Sequence, residues 1–195
     1  MMTTSATIVL ASASPRRVEL LQSAGIPVSV RPSGIDEVLL PNEAPEDHAM
    51  RLARDKARDV AKLGNGQYFI GADTIVVSED EIMGKPQDAA DAERMLRKLS
   101  GKAHLVITGF SVIDSISNAE ITAAVKTLVY FKELRDDEIH TYIASGCPFD
   151  KAGAYAIQGD AAHMIRKIDG SYTNVVGLPL CEVVEALRTL GAWWG

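Results

Sequence analysis

Apolar positions along the chain switch repeatedly between a strand-like and a helix-like period, and the alternation predicts an α/β protein. Residues 7–11, TIVLA, form a short β-rich run that passes through two serines into a helix ending near Gly25. Residues 27–32 read as a short strand. Over 46–63, Ala49, Leu52, Ala53, Ala57, Val60 and Ala61 fall on one helical stripe, with Arg51, Arg54, Asp55, Arg58 and Lys62 on the other side. Residues 68–77, YFIGADTIVV, are almost continuously apolar and rich in β-branched side chains, as expected of a strand covered on both faces. A turn at 78–81 and a short return at 82–83 lead to a second amphipathic helix over 88–99, with Ala92, Met95, Leu96 and Leu99 inward. Two strands follow, 104–113 and 121–131, joined by a polar turn around 115–118. The remainder reads as a short helix at 136–144, an irregular loop over 145–159, strands at 164–168 and 172–176, and a closing helix at 180–190. No repeat, low-complexity tract or linker divides the chain, so residues 1–195 are expected to form a single domain.

Against this pattern a few side chains stand out. Ser14 is placed to cap the first helix and Pro15 to open it, so the strand–helix junction offers free N–H groups and a positive dipole end to an anion. Arg16 and Arg17 lie in that first turn, where positive charge disfavours the helix; this suits an expected anion, although two solvated arginines on a capped surface helix would look the same. Lys56 stands inside the apolar stripe, four residues after Leu52 and four before Val60, so it either snorkels to solvent or meets a negative partner in a cleft. Asp73 interrupts the buried strand, and a carboxylate there requires a cation, a metal or hydrogen-bond donors. Lys85 is held between Gly84 and Pro86. The Asp36-Glu37 pair follows a glycine turn and, read locally, is a solvated loop.

Composition narrows the chemistry. The chain is 47% hydrophobic and 24% charged, ordinary for a globular protein, and no apolar run approaches the roughly 18 residues of a membrane span. The first ten residues do not read as a signal peptide. Cys147 and Cys181 are far apart and read as reduced thiols, as expected of a cytoplasmic protein. A net charge of −6 argues against a nucleic-acid polymer as partner. The chain contains no phosphate-binding P-loop, no dinucleotide fingerprint, no nucleophile elbow, and no metal-ligand spacing among His48, His104, His140 and His163. Several constrained cations with a pair of hard oxygen ligands remain. That combination suits a polyphosphate accompanied by a Mg²⁺-like ion.

Taken in order, SASPRR at 12–17, the Glu37 region, RLARDKA at 51–57, GADTIVV at 71–77, GKPQDAADAERMLRKLSG at 84–101, DKAGAYAIQG at 150–159 and GSYTNVVGLPL at 170–180 strongly resemble the Maf family. SPRR or GKP alone would say little; the ordered set covers nearly the whole chain. The resemblance implies a Maf/ITPase-like α/β fold, a mixed β-sheet bent around a central cleft with flanking helices and two lobes. It also implies a nucleoside triphosphate pyrophosphatase that uses a divalent metal, Mg²⁺ or Mn²⁺, and works as a homodimer. On the same ground Asp73 is the proton acceptor for the attacking water and shares the metal with Glu37, while Ser12, Arg17, Lys56 and Lys85 bind phosphates. Arg16, Thr74 and Gln158 resemble the base-reading residues of the subgroup acting on dTTP and UTP, a house-cleaning activity in nucleotide metabolism. The alternatives are the 7-methyl-GTP subgroup and a nucleotide-binding regulator of cell division. Gln158 offers a donor and an acceptor, which matches the O4/N3–H edge shared by thymine and uracil. The terminal Trp193 and Trp194 lie outside the family signature and are expected to pack against the body or a partner subunit.

Overall fold

The computed structural model describes residues 7–192 and Trp194. Among the described residues, seven strands and six α-helices follow in chain order. They are β1 (Ile8–Leu10), α1 (Pro15–Ser23), β2 (Val28–Val30), α2 (Pro45–Ala61), β3 (Tyr68–Ser78), β4 (Glu81–Met83), α3 (Ala89–Leu99), β5 (Ala103–Asp114), β6 (Glu120–Phe131), α4 (Asp136–Ala144), β7 (Ile165–Asp169), α5 (Tyr172–Val176) and α6 (Leu180–Thr189). The strands pair in the order β2-β1-β3-β5-β6-β7, with β4 on β3. β1 is parallel to β2 and β3, whereas β3–β4 and β6–β7 are antiparallel, so the sheet is mixed. The chain forms two compact units. The first runs to Asp73 and adds Thr108–Val125 and the segment from Gly177; the second comprises Thr74–Ile107 and Lys126–Val176.

In the first unit the two-residue period of the strands sorts side chains between two helical layers. Ile8 and Leu10 of β1 and Ile70 of β3 pack with Leu21 of α1 and Val183 and Leu187 of α6. Val9 and Phe69 point the other way, against Ala57 and Val60 of α2. This is why both strands read as continuous apolar runs. Helix α2 approaches closely because the sheet presents glycines to it. A Cβ on Gly71 would sit 2.0 Å from Ala53 O, and one on Gly109 would sit 2.2 Å from Ala49 O. Trp194 packs on the same core as α6, with the Arg188 guanidinium 5.9 Å from its ring centroid; Trp193 lies outside the described residues.

The second unit has its own core, built on Leu96 and Leu99 of α3, Val129 and Phe131 of β6, Ile139 and Tyr142 of α4, and Met164. Its irregular segment is a set of short 3₁₀ turns, Cys147–Asp150, Ala152–Ala154 and Gly159–Met164. Gly153 has φ 67°, a Cβ on it would sit 2.9 Å from Val76 Cγ2, and its N–H donates to Gly84 O at 3.0 Å. That bond joins the segment bearing Lys85 to the segment leading to Gln158.

One element differs from the sequence expectation. Residues 172–176 form helix α5, not a strand. Its β-favouring residues are overruled by tertiary hydrogen bonds. Ser171 N donates to Thr127 Oγ1 at 3.0 Å, Asn174 Nδ2 donates to the same oxygen at 3.0 Å, and Ser171 Oγ receives the Asn174 N–H at 3.3 Å as a cap.

Candidate active site

The first strand–helix junction starts from Leu10 and Ala11, both buried, and enters α1 at Pro15. Ser14 occupies the N-cap position, but its side chain makes no capping bond; instead Ser12 Oγ accepts the Ser14 N–H at 3.2 Å. Helix α1 closes through Gly25 at φ 71°, with the Gly25 and Ile26 N–H groups returning to Gln22 O and Leu21 O. Arg17 emerges from the first turn and turns back over the junction. Its Nη1 donates to Ser12 Oγ at 3.0 Å and Ala72 O at 2.9 Å, and its Nε donates to Gly177 O at 2.7 Å. It thereby ties together three chain segments while carrying a positive charge beside them. Burial lowers its pKa from the ordinary guanidinium value, opposed by the negative charges of Asp73 and Glu37. Arg16, on the same turn, is half-buried.

Asp73 is the end point of the face of β3 that looks at α2. Phe69 packs on Ala57 and Val60, Gly71 meets Ala53 and Ala57, and Asp73 follows two residues on. Lys56, next to Ala57 on the helix, is the side chain it finds. Lys56 Nζ donates to Asp73 Oδ1 at 2.7 Å, with side-chain exposures of 10% and 8%. The same ammonium lies 2.6 Å from Glu37 Oε1, whose side chain is 47% exposed. The lysine in the apolar stripe therefore does not snorkel to solvent; it closes a three-membered charge cluster that is buried at Asp73 and open at Glu37.

The loop that brings Glu37 there, residues 31–44, carries no regular secondary structure and is strapped to α2. At one end Ser33 Oγ donates to Asp59 Oδ2 at 2.7 Å and Gly34 N to the same oxygen at 3.3 Å. At the other, Arg51 donates from Nε to Glu43 Oε1 at 2.5 Å and from Nη2 to Glu43 Oε2 at 2.8 Å, and Nη2 also reaches Val38 O at 2.9 Å. His48 Nδ1–H donates to Glu43 Oε2 at 2.8 Å. The Arg51 fork, reinforced by His48 and the Leu40 N–H, holds the Glu43 carboxyl at a pKa of about 2 in spite of its burial. The helical pattern puts Arg51 on the face opposite the apolar stripe and marks neither Glu43 nor His48 as its partner. The acidic partner of Arg51 lies eight residues earlier, before α2 begins and outside its helical repeat.

The site residues thus divide by unit. Ser12, Arg16, Arg17, Glu37, Lys56 and Asp73 belong to the first, where Arg17–Ser12 and Glu37–Lys56–Asp73 are in direct contact. Thr74, Lys85 and Gln158 belong to the second. Thr74 is half-buried on β3, and Lys85 and Gln158 are exposed, Lys85 beside a buried Pro86.

Among the described residues no group of three or more His, Cys, Asp or Glu side chains is arranged to hold a metal ion by itself. Glu37 and Asp73 nevertheless present two hard carboxylate donors on the Lys56 ammonium, which holds one oxygen of each. That donor set fits an ion such as Mg²⁺, which takes one or two carboxylates and completes its shell with water and substrate phosphates. Neither free cysteine is in a disulfide, and no helix among the described residues is long and apolar enough to cross a membrane.

The family described as "Maf-like protein" matches residues 7–190. The chain is 67% identical over 192 residues to a dTTP/UTP pyrophosphatase of Geotalea uraniireducens, covering 98% of this chain and 99% of the relative. It is 64% identical over 185 residues to the dTTP/UTP pyrophosphatase of Geobacter sulfurreducens, covering 95% and 97% of the two chains. A dTTP/UTP pyrophosphatase of Anaeromyxobacter dehalogenans is 50% identical over 186 residues, covering 94% of each.

Proposed function

The chain belongs to the Maf family, and from that premise we propose that it hydrolyses dTTP and UTP to the nucleoside monophosphate and pyrophosphate. The observation that carries this reading is the buried Asp73 carboxylate, fixed by Lys56 on a strand face and joined at its rim by Glu37. A carboxylate with one oxygen held by a lysine has a defined orientation, and its other oxygen is the one we assign to the attacking water. Asp73 takes the water proton as the water oxygen attacks the α-phosphorus and the bond to the pyrophosphate oxygen breaks. Ser12, Arg17, Lys56 and Lys85 are assigned to the triphosphate, where fixed positive charge offsets the charge developing on the leaving pyrophosphate. Arg17 is also bonded to two backbone carbonyls, so that charge is preorganised.

Glu37 and Asp73 would hold a divalent cation, Mg²⁺ or Mn²⁺, which when bound supplies neutralisation of phosphate charge. Arg16, Thr74 and Gln158 are assigned to the base. The Gln158 amide, exposed on its turn, can donate to O4 and accept from N3–H of either uracil or thymine. Cytosine presents the opposite polarity at position 4 and is disfavoured when the Gln158 amide is held with its NH2 toward O4. We assign the protein to the cytoplasm, as a single-domain chain that works as a homodimer.

The test is pyrophosphate release from dTTP, UTP, CTP, GTP and 7-methyl-GTP with Mg²⁺, with Mn²⁺ and with chelator. Metal-dependent cleavage of dTTP and UTP alone is expected. Preference for 7-methyl-GTP would overturn the base assignment. Absence of release from any of the five would overturn the enzymatic reading in favour of a nucleotide-binding regulator of cell division.

A further inference from the structure

The 31–44 strap that connects β2 to α2 runs back along α2. Its contacts follow the helix in reverse order. Ser33 meets Asp59, Glu37 meets Lys56, and Val38 and Glu43 meet Arg51. Glu37 is the one exposed carboxylate in that series, and it lies between two anchors whose acceptors, Asp59 and Glu43, have no part in the assigned chemistry. The Glu43 anchor is the stronger. It is a bidentate arginine–carboxylate fork with a third donor from His48, and the Glu43 side chain is only 8% exposed. The same arginine holds Val38 O, the carbonyl immediately after Glu37.

We propose that Glu43 and Arg51 are positioning residues for Glu37. Their fork fixes the strap on α2, and the Arg51–Val38 bond transmits that fixation to the Glu37 backbone, so that its carboxylate meets Lys56. The proposal rests on the site assigned above. Without the fork the strap keeps its Ser33 and Gly34 bonds to Asp59, and the backbone from Glu37 to the start of α2 regains torsional freedom. An outlying shell of this kind costs metal sites about tenfold to a hundredfold in affinity or activity when it is removed.

The test compares Glu43→Gln, Arg51→Lys, Glu37→Gln and the double variant Glu37→Gln/Glu43→Gln in the full chain. Arg51→Lys keeps the charge but cannot fork, so it stands in if Glu43→Gln fails to fold. Amide hydrogen exchange over residues 35–40 is expected to speed by about tenfold in either single strap variant, while the amides of 52–60 in α2 keep their protection. Turnover of dTTP at fixed Mg²⁺ is expected to fall by about tenfold, and to recover in part as Mg²⁺ is raised. On the Glu37→Gln background the Glu43 substitution should cost less than about twofold further, because its effect passes through Glu37. Unchanged exchange over 35–40, or losses that multiply in full in the double variant, would overturn the proposal. Should the wild-type protein turn over no nucleotide, the enzymatic reading falls, and the exchange measurement alone decides the positioning role.

Discussion

Lys56 Nζ donates to Asp73 Oδ1 across 2.7 Å between α2 and β3, with both side chains almost entirely buried. Such a pair gains little over an apolar one of the same volume, but removing one partner strands the other. Replacing Lys56 by Met leaves Asp73 without its donor and is expected to cost about 3 kcal/mol, measured by urea unfolding at neutral pH. The double replacement Lys56→Met/Asp73→Leu should recover most of that loss. A single variant as stable as the wild type would show that the pair does not hold Asp73.

Asp73→Asn tests the chemistry with the shape retained. The amide keeps the volume and can accept from Lys56, but it cannot take a proton from water. Turnover of dTTP is expected to fall by at least about a hundredfold, with nucleotide affinity retained. Calorimetric titration with a slowly hydrolysed dTTP analogue separates the two quantities. Turnover at the wild-type rate would remove Asp73 from the role of proton acceptor.

The close approach of α2 to the sheet depends on Gly71. A methyl group there would lie 2.0 Å from Ala53 O and 2.8 Å from Ala57 N, both backbone atoms that cannot swing aside. Gly71→Ala should therefore destabilise the protein by more than about 3 kcal/mol, beyond ordinary overpacking, because the helix itself must shift. It should also lower turnover in whatever fraction stays folded, since Lys56 rides on the displaced helix. Thermal unfolding with circular dichroism reads the first effect, and a melting temperature equal to that of the wild type would contradict it.

The Lys56–Asp73 meeting was legible in the chain because each residue broke a strong pattern. One was a cation in a 3.6-residue apolar stripe and the other a carboxylate in a buried strand, and such exceptions must be resolved against a partner. Glu37 was not legible in the same way. Its local sequence reads as a solvated loop, it is indeed exposed, and only the strap's tertiary anchors deliver it to Lys56. The Glu43–Arg51 fork joins a loop to a helix at a spacing that belongs to neither period, so no periodicity reports it. Residues 172–176 form a helix against their local preference for a related reason. Tyr, Thr and Val favour strands, and the turn is imposed by Thr127, more than forty residues away in sequence.

Acid stability should fall in two windows set by two buried groups. His104 is buried against Phe131, with Nε2 2.7 Å from Tyr155 Oη, and burial pulls its pKa from 6.5 to about 4. The unfolded chain therefore binds this proton more readily. The contribution of His104 is complete above pH 6.5 and is lost as the pH falls through 6.5 toward 4, up to about 3 kcal/mol. Glu43, held by Arg51 at about 2 against an ordinary 4.5, has the same sign in a lower window. Its contribution is complete above pH 4.5 and is lost between there and pH 2, again up to about 3 kcal/mol. Urea unfolding at half-unit intervals from pH 7.5 to 3 should show His104→Gln flattening the upper part of the curve and Glu43→Gln the lower. A Glu43→Gln curve parallel to the wild type below pH 4.5 would mean that the fork is not made in solution, and it would take the anchoring of the strap with it.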